Sequence, residues 1–128
     1  MIRVLTVPDV LVLDADDLLS RGDVVQASEK YYKAVEEGIK LLTRKYELND
    51  ILSRVKEKGF WDMKDLDDAV YELSKMLNKK EIIEYWESAI LIINTSLYPE
   101  DLREEAKKVK EFVSLFDEIT NRDCNAST

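Results

Sequence analysis

The chain of 128 residues and 14.9 kDa has the length of one domain, and folding at this size buries roughly two-thirds of the surface that the extended chain exposes. Its 45% apolar and 36% charged residues fit neither a disordered polymer nor a membrane-embedded one. The 19 basic and 27 acidic residues leave a net charge of −8, which argues against phosphate-backbone binding, and the absence of histidine removes imidazole catalysis, His metal ligands and imidazole pH switching.

Taken in chain order, Met1–Pro8 carry too brief an apolar stretch for a signal peptide, and a short extended piece is expected over Ile2–Val7. The first helix is expected over Asp9–Arg21, with Leu11, Ala15, Leu18 and Leu19 sharing a face and Asp14, Asp16 and Asp17 on its flank. The run Val10–Leu13, like Ala89–Ile93 further on, is far shorter than the ~18 residues of a membrane span, so a cytoplasmic protein without membrane contact is expected. Gly22 ends this helix and Asp23 caps the next. The second helix reads as Val24–Leu48, with Val24, Ala27, Tyr31, Ala34, Val35, Ile39, Leu42 and Tyr46 on one stripe. Glu29 with Lys33 and Glu36 with Lys40 are supporting pairs four residues apart. Gly38 inside this helix costs about 1 kcal/mol against Ala, a cost that a close helix crossing would explain.

Asn49 or Asp50 is expected to cap a third helix, Ile51–Lys58, ended by Gly59. Phe60 and Trp61 follow at a corner, where large rings would plug one end of the core. Asp62 and Asp65 form a carboxylate capping box for a fourth helix with the stripe Leu66, Ala69, Val70, Leu73, Met76 and Leu77. Asn78 and Glu81 repeat the signal for a fifth, in which Ile82, Ile83, Trp86, Ala89, Ile90 and Ile93 point inward. After a break at Asn94–Ser96, Pro99 suits the first turn of a sixth helix running to about Thr120, with Glu100 and Asp101 at its positive end. Residues 121–128 read as a frayed polar tail. Short connections imply one all-α domain, an up-and-down bundle of five to six helices ordered over about 9–120.

Residues that carry chemistry are scarce. The acidic groups Asp14/Asp16/Asp17, Asp65/Asp67/Asp68, Glu36/Glu37 and Glu104/Glu105 lack the histidines of a di-iron bundle, and Asp14–Leu19 has leucine where a calcium loop needs glycine. They read as solvated helix faces. The three glycines are too far apart for a phosphate loop, and the single Cys124 cannot form an internal disulfide or a thiolate zinc site. No catalytic, cofactor-binding or metal-ligating residue and no cofactor is therefore expected. Lys79-Lys80 and Lys107-Lys108-x-Lys110 are small basic groups offset by neighbouring acids, so nucleic acid is not an expected partner. Aromatic side chains are the remaining candidates. Trp86 is expected in the core, while Trp61, Tyr31, Tyr32 and Tyr98 are the candidate interface residues.

The segment Arg21-Gly22-Asp23-Val24-Val25-Gln26-Ala27-Ser28-Glu29-Lys30-Tyr31-Tyr32-Lys33-Ala34 resembles the archaeal PaREP family, as does Trp86-x-x-Ala89 followed by Leu97-Tyr98-Pro99-Glu100. The resemblance extends over about residues 9–120. It implies a fold similar to the HEPN superfamily of helical bundles, whose members dimerise, partner nucleotidyltransferases or act as ribonucleases. HEPN ribonucleases use an Arg-x(4–6)-His motif; here Arg44 is followed five residues later by Asn49, which cannot serve as acid or base. The resemblance thus implies a homodimer and a nucleotidyltransferase-type partner, with no catalytic residue to carry over. Two other readings compete: a carboxylate and Mg²⁺-dependent enzyme or nucleotide-binding domain, and a tetratricopeptide-like adaptor. The adaptor cadence Gly-Asp-x-x-x-Ala-x-x-x-Tyr is not restated about 34 residues later.

Overall fold

The computed structural model describes the backbone of residues 4–126 and the side chains of 4–121. Six helices follow one another: α1 (Val7–Ser20), α2 (Val24–Lys45), α3 (Asn49–Lys58), α4 (Met63–Met76), α5 (Glu81–Asn94) and α6 (Pro99–Ala126). Among the described residues there is no strand, and no helix is long and apolar enough to cross a membrane. The all-α bundle read from the sequence is the observed fold.

Helix α1 begins at Val7, not at Asp9. Extended Thr6 is its N-cap and accepts from the Asp9 amide, while the Asp9 carboxylate accepts from the Thr6 amide at 3.0 Å. The extended piece expected over Ile2–Val7 therefore stops at Thr6, and residues 2 and 3 lie outside the described residues. Helix α4 opens as expected, with a reciprocal capping box between Asp62 and Asp65. Three helix ends share one device, in which the residue after the C-cap turns left-handed and the next amide bonds back to a carbonyl of the last helical turn. Gly22 does this after α1 (φ 82°), but Glu47 does it after α2 (φ 53°) and Asn78 after α4 (φ 54°).

Those two non-glycine reversals account for the shifted boundaries between α2 and α3 and between α4 and α5. Helix α2 stops at Lys45 rather than Leu48, because Glu47 reverses the chain and leaves Leu48 as the N-cap of α3. Asn49 and Asp50 occupy the first turn of α3 and do not cap it. Asn78 closes α4 instead of capping α5, whose N-cap is Lys80. At the other end, α6 continues past the expected limit at Thr120 to Ala126, with no Gly or Pro in between to stop it.

Helix α2 is the centre of the fold and packs against α1, α4, α5 and α6. Its buried residues are Ala27, Ser28, Tyr31, Ala34, Val35, Gly38, Ile39, Leu42 and Thr43, a wide face rich in small side chains. Contacts fix the directions of its neighbours. Asp16 meets both Tyr31 and Lys110 while Thr6 meets Asp117, so α1 runs antiparallel to α2 and α6. Ser88 bonds the Glu105 carbonyl and Tyr85 packs on Phe112, so α5 and α6 are antiparallel as well. The up-and-down order breaks at α3, which lies against α4 and contributes only Ile51 to the core. Charge fastens it: Lys58 pairs with Asp62 at 2.6 Å and with buried Asp65, and Arg54 reaches Asp68 at 2.8 Å.

Several side chains depart from the expected core. Phe60 is 59% exposed and Trp61 half-buried, so only the indole helps to close that end, and Met76 stands outside the α4 stripe at 51% exposure. In α1 it is Val12 that joins Ala15 and Leu19 in the core while Leu11 and Leu18 are half-buried. In α5 Ile92 is buried where Ile93 was expected. In α1 and α5 the shift is one residue around the helix, from Leu11 to Val12 and from Ile93 to Ile92, because an adjacent pair of apolar residues leaves the exact direction of a stripe open.

The close crossing expected at Gly38 is present. A Cβ added there would stand 2.5 and 2.8 Å from Cε2 and Cζ of Phe112, a ring with no solvent exposure on α6. Gly38→Ala gains about 1 kcal/mol of helix propensity but forces overpacking that costs about 1–3 kcal/mol. Denaturant melts should show net destabilisation, and Phe112→Leu in the same chain should relieve part of it, so that the two changes are less than additive.

Candidate interaction surface

Two surfaces stand out once the core is removed from consideration. The first is the outward side of α1. Successive residues turn about 100° around a helix, so Val12, Ala15 and Leu19 face the core while Val7, Val10 and Leu13 face away. These three are 54%, 44% and 55% exposed, and Val4 and Leu5 extend the patch at 82% and 50%. A cleft of about 200 Å³ runs beside it, lined by Leu5, Asp9, Val12 and Leu13 and by Lys110, Val113, Ser114 and Asp117 of α6. Toward the C-terminal end of the same side the apolar residues give way to Asp14 and Asp17, the latter paired with Arg21 at 2.9 Å. The sequence carried a signal for this face. Four apolar residues in succession, Val10–Leu13, cover every side of a helix, so some of them must point away from the core.

The second surface is a band where α2 meets α5 and the corner after α3. Half-buried Tyr32 packs on Trp86 with ring centroids 5.8 Å apart, and Trp86 donates to Asp67 at 2.8 Å. Two turns along α2, Lys40 pairs with Glu36 at 2.8 Å and lies 6.0 Å from the centre of the Trp61 ring. Of the candidate interface residues, Tyr32 and Trp61 therefore share this band. Tyr31 does not belong to a surface: it is 1% exposed, and its hydroxyl donates to Asp16. Adjacent residues on a helix diverge by about 100°, which sends Tyr31 into the core and Tyr32 to its edge. Tyr98 is 76% exposed just before α6, and among the described residues no ring contact joins it to Tyr32 or Trp61.

Known proteins resemble this chain in both sequence and fold. The Archaeal PaREP1/PaREP8 family matches residues 4–113. The chain belongs to that family. Among solved structures, it is similar to the crystal structure of a protein from Sulfolobus solfataricus, with 36% identity, a TM-score of 0.80 and coverage of 88% of this chain and 95% of the other. The solution structure of the same structural-genomics target is similar at 36% identity and a TM-score of 0.74, covering 88% of this chain and 90% of that one. No curated protein matches the chain.

In this PaREP family member most residues of the acidic groups serve as partners of cations and donors. Asp16 faces Tyr31 and Lys110, Asp67 faces Trp86, Asp68 binds Arg54 and Lys64, and Glu104 and Glu105 pair with Lys107 and Lys108. Among the described residues, no three Asp, Glu or Cys side chains converge as a metal site. Cys124 lies outside the described side chains.

Burial, then the Asp16 carboxylate, pushes the Tyr31 phenol well above its ordinary value; burial and Glu36 do the same to Tyr32, and burial and Glu111 raise Tyr85. Below the ordinary phenol value both states are protonated and the full stability is present; above it the unfolded chain loses protons that the folded chain keeps. Denaturant midpoints should therefore hold up to about pH 10 and fall progressively above it, less so in Tyr31→Phe and Tyr32→Phe. Tyrosinate absorbance should show the same two phenols ionising only as the chain unfolds.

Proposed function

We propose that this PaREP protein is a non-enzymatic, HEPN-like helical bundle that acts through protein–protein contact, as a homodimer and as the partner of a nucleotidyltransferase-type protein. The observation that carries the reading is the outward face of α1, where five apolar side chains from Val4 to Leu13 are each more than two-fifths exposed. Burying such a patch against another protein yields free energy in proportion to its area, whereas leaving it in water yields nothing. Aromatic rings at the edge of the second surface, Tyr32 and Trp61, supply the rigid amphipathic contacts on which protein interfaces rely. HEPN likeness is supported by the six-helix architecture and the family, and it extends to the scaffold alone. Arg44 and Asn49 are exposed on either side of the reversal at Glu47, with no imidazole to complete a nuclease motif.

Light scattering of the full chain at tens of micromolar should give a mass near twice 14.9 kDa. A strictly monomeric mass would sink the homodimer. Thermal melts with Mg²⁺ and a nucleotide panel should show no specific shift; a shift abolished by neutralising one acidic group would move the protein to the enzyme class. Capture from the native host should recover a nucleotidyltransferase-type protein.

A further inference from the structure

Of the four buried serines and threonines, three donate to a backbone carbonyl: Thr43 to Ile39, Ser74 to Tyr71 and Ser88 to Glu105. The fourth, Ser28 near the start of α2, is 9% exposed and its side chain makes no hydrogen bond among the described residues. The little it exposes lines a cleft of about 340 Å³ between the start of α2 and the end of α5, within the roughly 300–1,000 Å³ of small-ligand sites. A buried hydroxyl without a partner costs free energy, so a group that meets it in the cleft is favoured.

The other polar groups around this cleft are acceptors. Helices α1 to α4 each close on an amide that bonds back to a carbonyl of the last turn. At α5 none of the amides of residues 95–98 does so, and no basic residue stands in the last turn. The end of α5 therefore presents carbonyls without a backbone partner and the negative end of its dipole. Glu29 is the one ionisable side chain that lines the cleft, and among the described residues it forms no ion pair or hydrogen bond, not even with Lys33 one turn on. The opposing field, the positive start of α2, is already met by the Asp23 carboxylate, which accepts from the Gln26 amide and side chain. Val24, Val25, Ile92, Ile93 and Leu97 supply apolar walls.

We infer that this cleft binds an alkylammonium group, an aliphatic stem ending in a protonated primary amine. The stem lies along the apolar walls, and the three N–H donors of the head go to the Ser28 hydroxyl, the α5 carbonyls and the Glu29 carboxylate. An anion would face that carboxylate and the negative helix end. A divalent ion needs several oxygen ligands in a polar shell, whereas here one carboxylate stands among aliphatic side chains. The net charge of −8 draws cations toward the surface as a whole, and the cleft selects those with an apolar stem. A free aliphatic amine and a lysine side chain carry the same group, and the experiment tells them apart. The site lies away from the outward α1 face, so it stands independently of the homodimer.

The test titrates the isotope-labelled full chain with n-pentylamine at constant ionic strength and follows its amide resonances. Residues 28–29 and 92–97 should shift with a Kd on the order of 1 mM, as befits so small a ligand, while pentanoate should leave them in place. Ser28→Ala and Glu29→Gln should each weaken binding about tenfold. Ser28→Ala should melt no lower than the wild type, because the hydroxyl it removes holds nothing in the fold. Nα-acetyl-lysine amide binding as tightly as pentylamine supports the site with a lysine side chain as its occupant. Its exclusion while pentylamine binds supports the site with a free amine. No shift from either amine, equal shifts from pentanoate, or undiminished binding by Ser28→Ala overturns the inference. A lowered melt of Ser28→Ala overturns it too, since the hydroxyl then serves the fold.

Discussion

Where α6 crosses α2, the Phe112 ring occupies the space that any side chain at position 38 would need. The rest of the bundle is arranged around that approach. With α6 so close, α2 must bury a face broad enough for four neighbours, and small residues at Ala27, Ala34 and Gly38 let their backbones come near while Tyr31, Ile39 and Leu42 fill the volume between them. A wide buried face also forces polar groups inside, and these find partners. Thr43 donates to the Ile39 carbonyl at 2.7 Å and Ser88 to the Glu105 carbonyl at 3.2 Å.

Being surrounded on most sides, α2 pushes the other helices to the edge, and the two edge helices are held by different forces. Helix α3 buries little beyond Ile51 and is fastened by Arg54 and Lys58 to three aspartates of the α4 start. One of these, Asp65, is 1% exposed and also accepts from the Asp62 amide, so a single carboxylate joins the α4 cap to the α3 dock. Helix α1 is the reverse case. It is anchored by apolar contact with α2 and by Thr6 and Asp16 toward α6, yet its own composition exceeds what that anchoring needs. The excess is the outward patch. An edge helix that is apolar on two sides in its first turns has one side more than the bundle can use.

What the sequence revealed follows from which features have a local chemical signature. The α4 start was legible because Asp62 and Asp65 form their box within one turn. Gly38 was legible because a glycine inside a long apolar stripe sacrifices helix propensity, and a neighbouring backbone or ring pressed against it offsets that loss. The Thr6–Asp9 box was equally local, but the extended piece expected over Ile2–Val7 placed the helix start later. The ends at Glu47 and Asn78 were not legible, since a left-handed glutamate or asparagine is imposed by what the chain must do next and leaves no mark on the residue type. The interface candidates divide the same way. Residue type marked Tyr31, Tyr32 and Trp61 alike, whereas only packing decides that Tyr31 donates to Asp16 inside and that Tyr32 and Trp61 border one band outside. The α1 face was visible as a run of four apolar residues, but the length of that run says nothing of how a helix distributes it around its axis.

Charge and apolar surface also bear on each other in this molecule. A net charge of −8 on each copy opposes any self-association, and that opposition is long-ranged and weakened by salt. The exposed apolar residues Val7, Val10 and Leu13 lie between the buried Asp9 and Asp117 at one end of the α1 face and Asp14 and Asp17 at the other, so salt, which screens that repulsion, favours any contact made there. The absence of histidine bears on the same point. With no imidazole to change charge between acid and neutral pH, this balance of apolar and acidic halves is constant across the range where histidine-bearing interfaces switch.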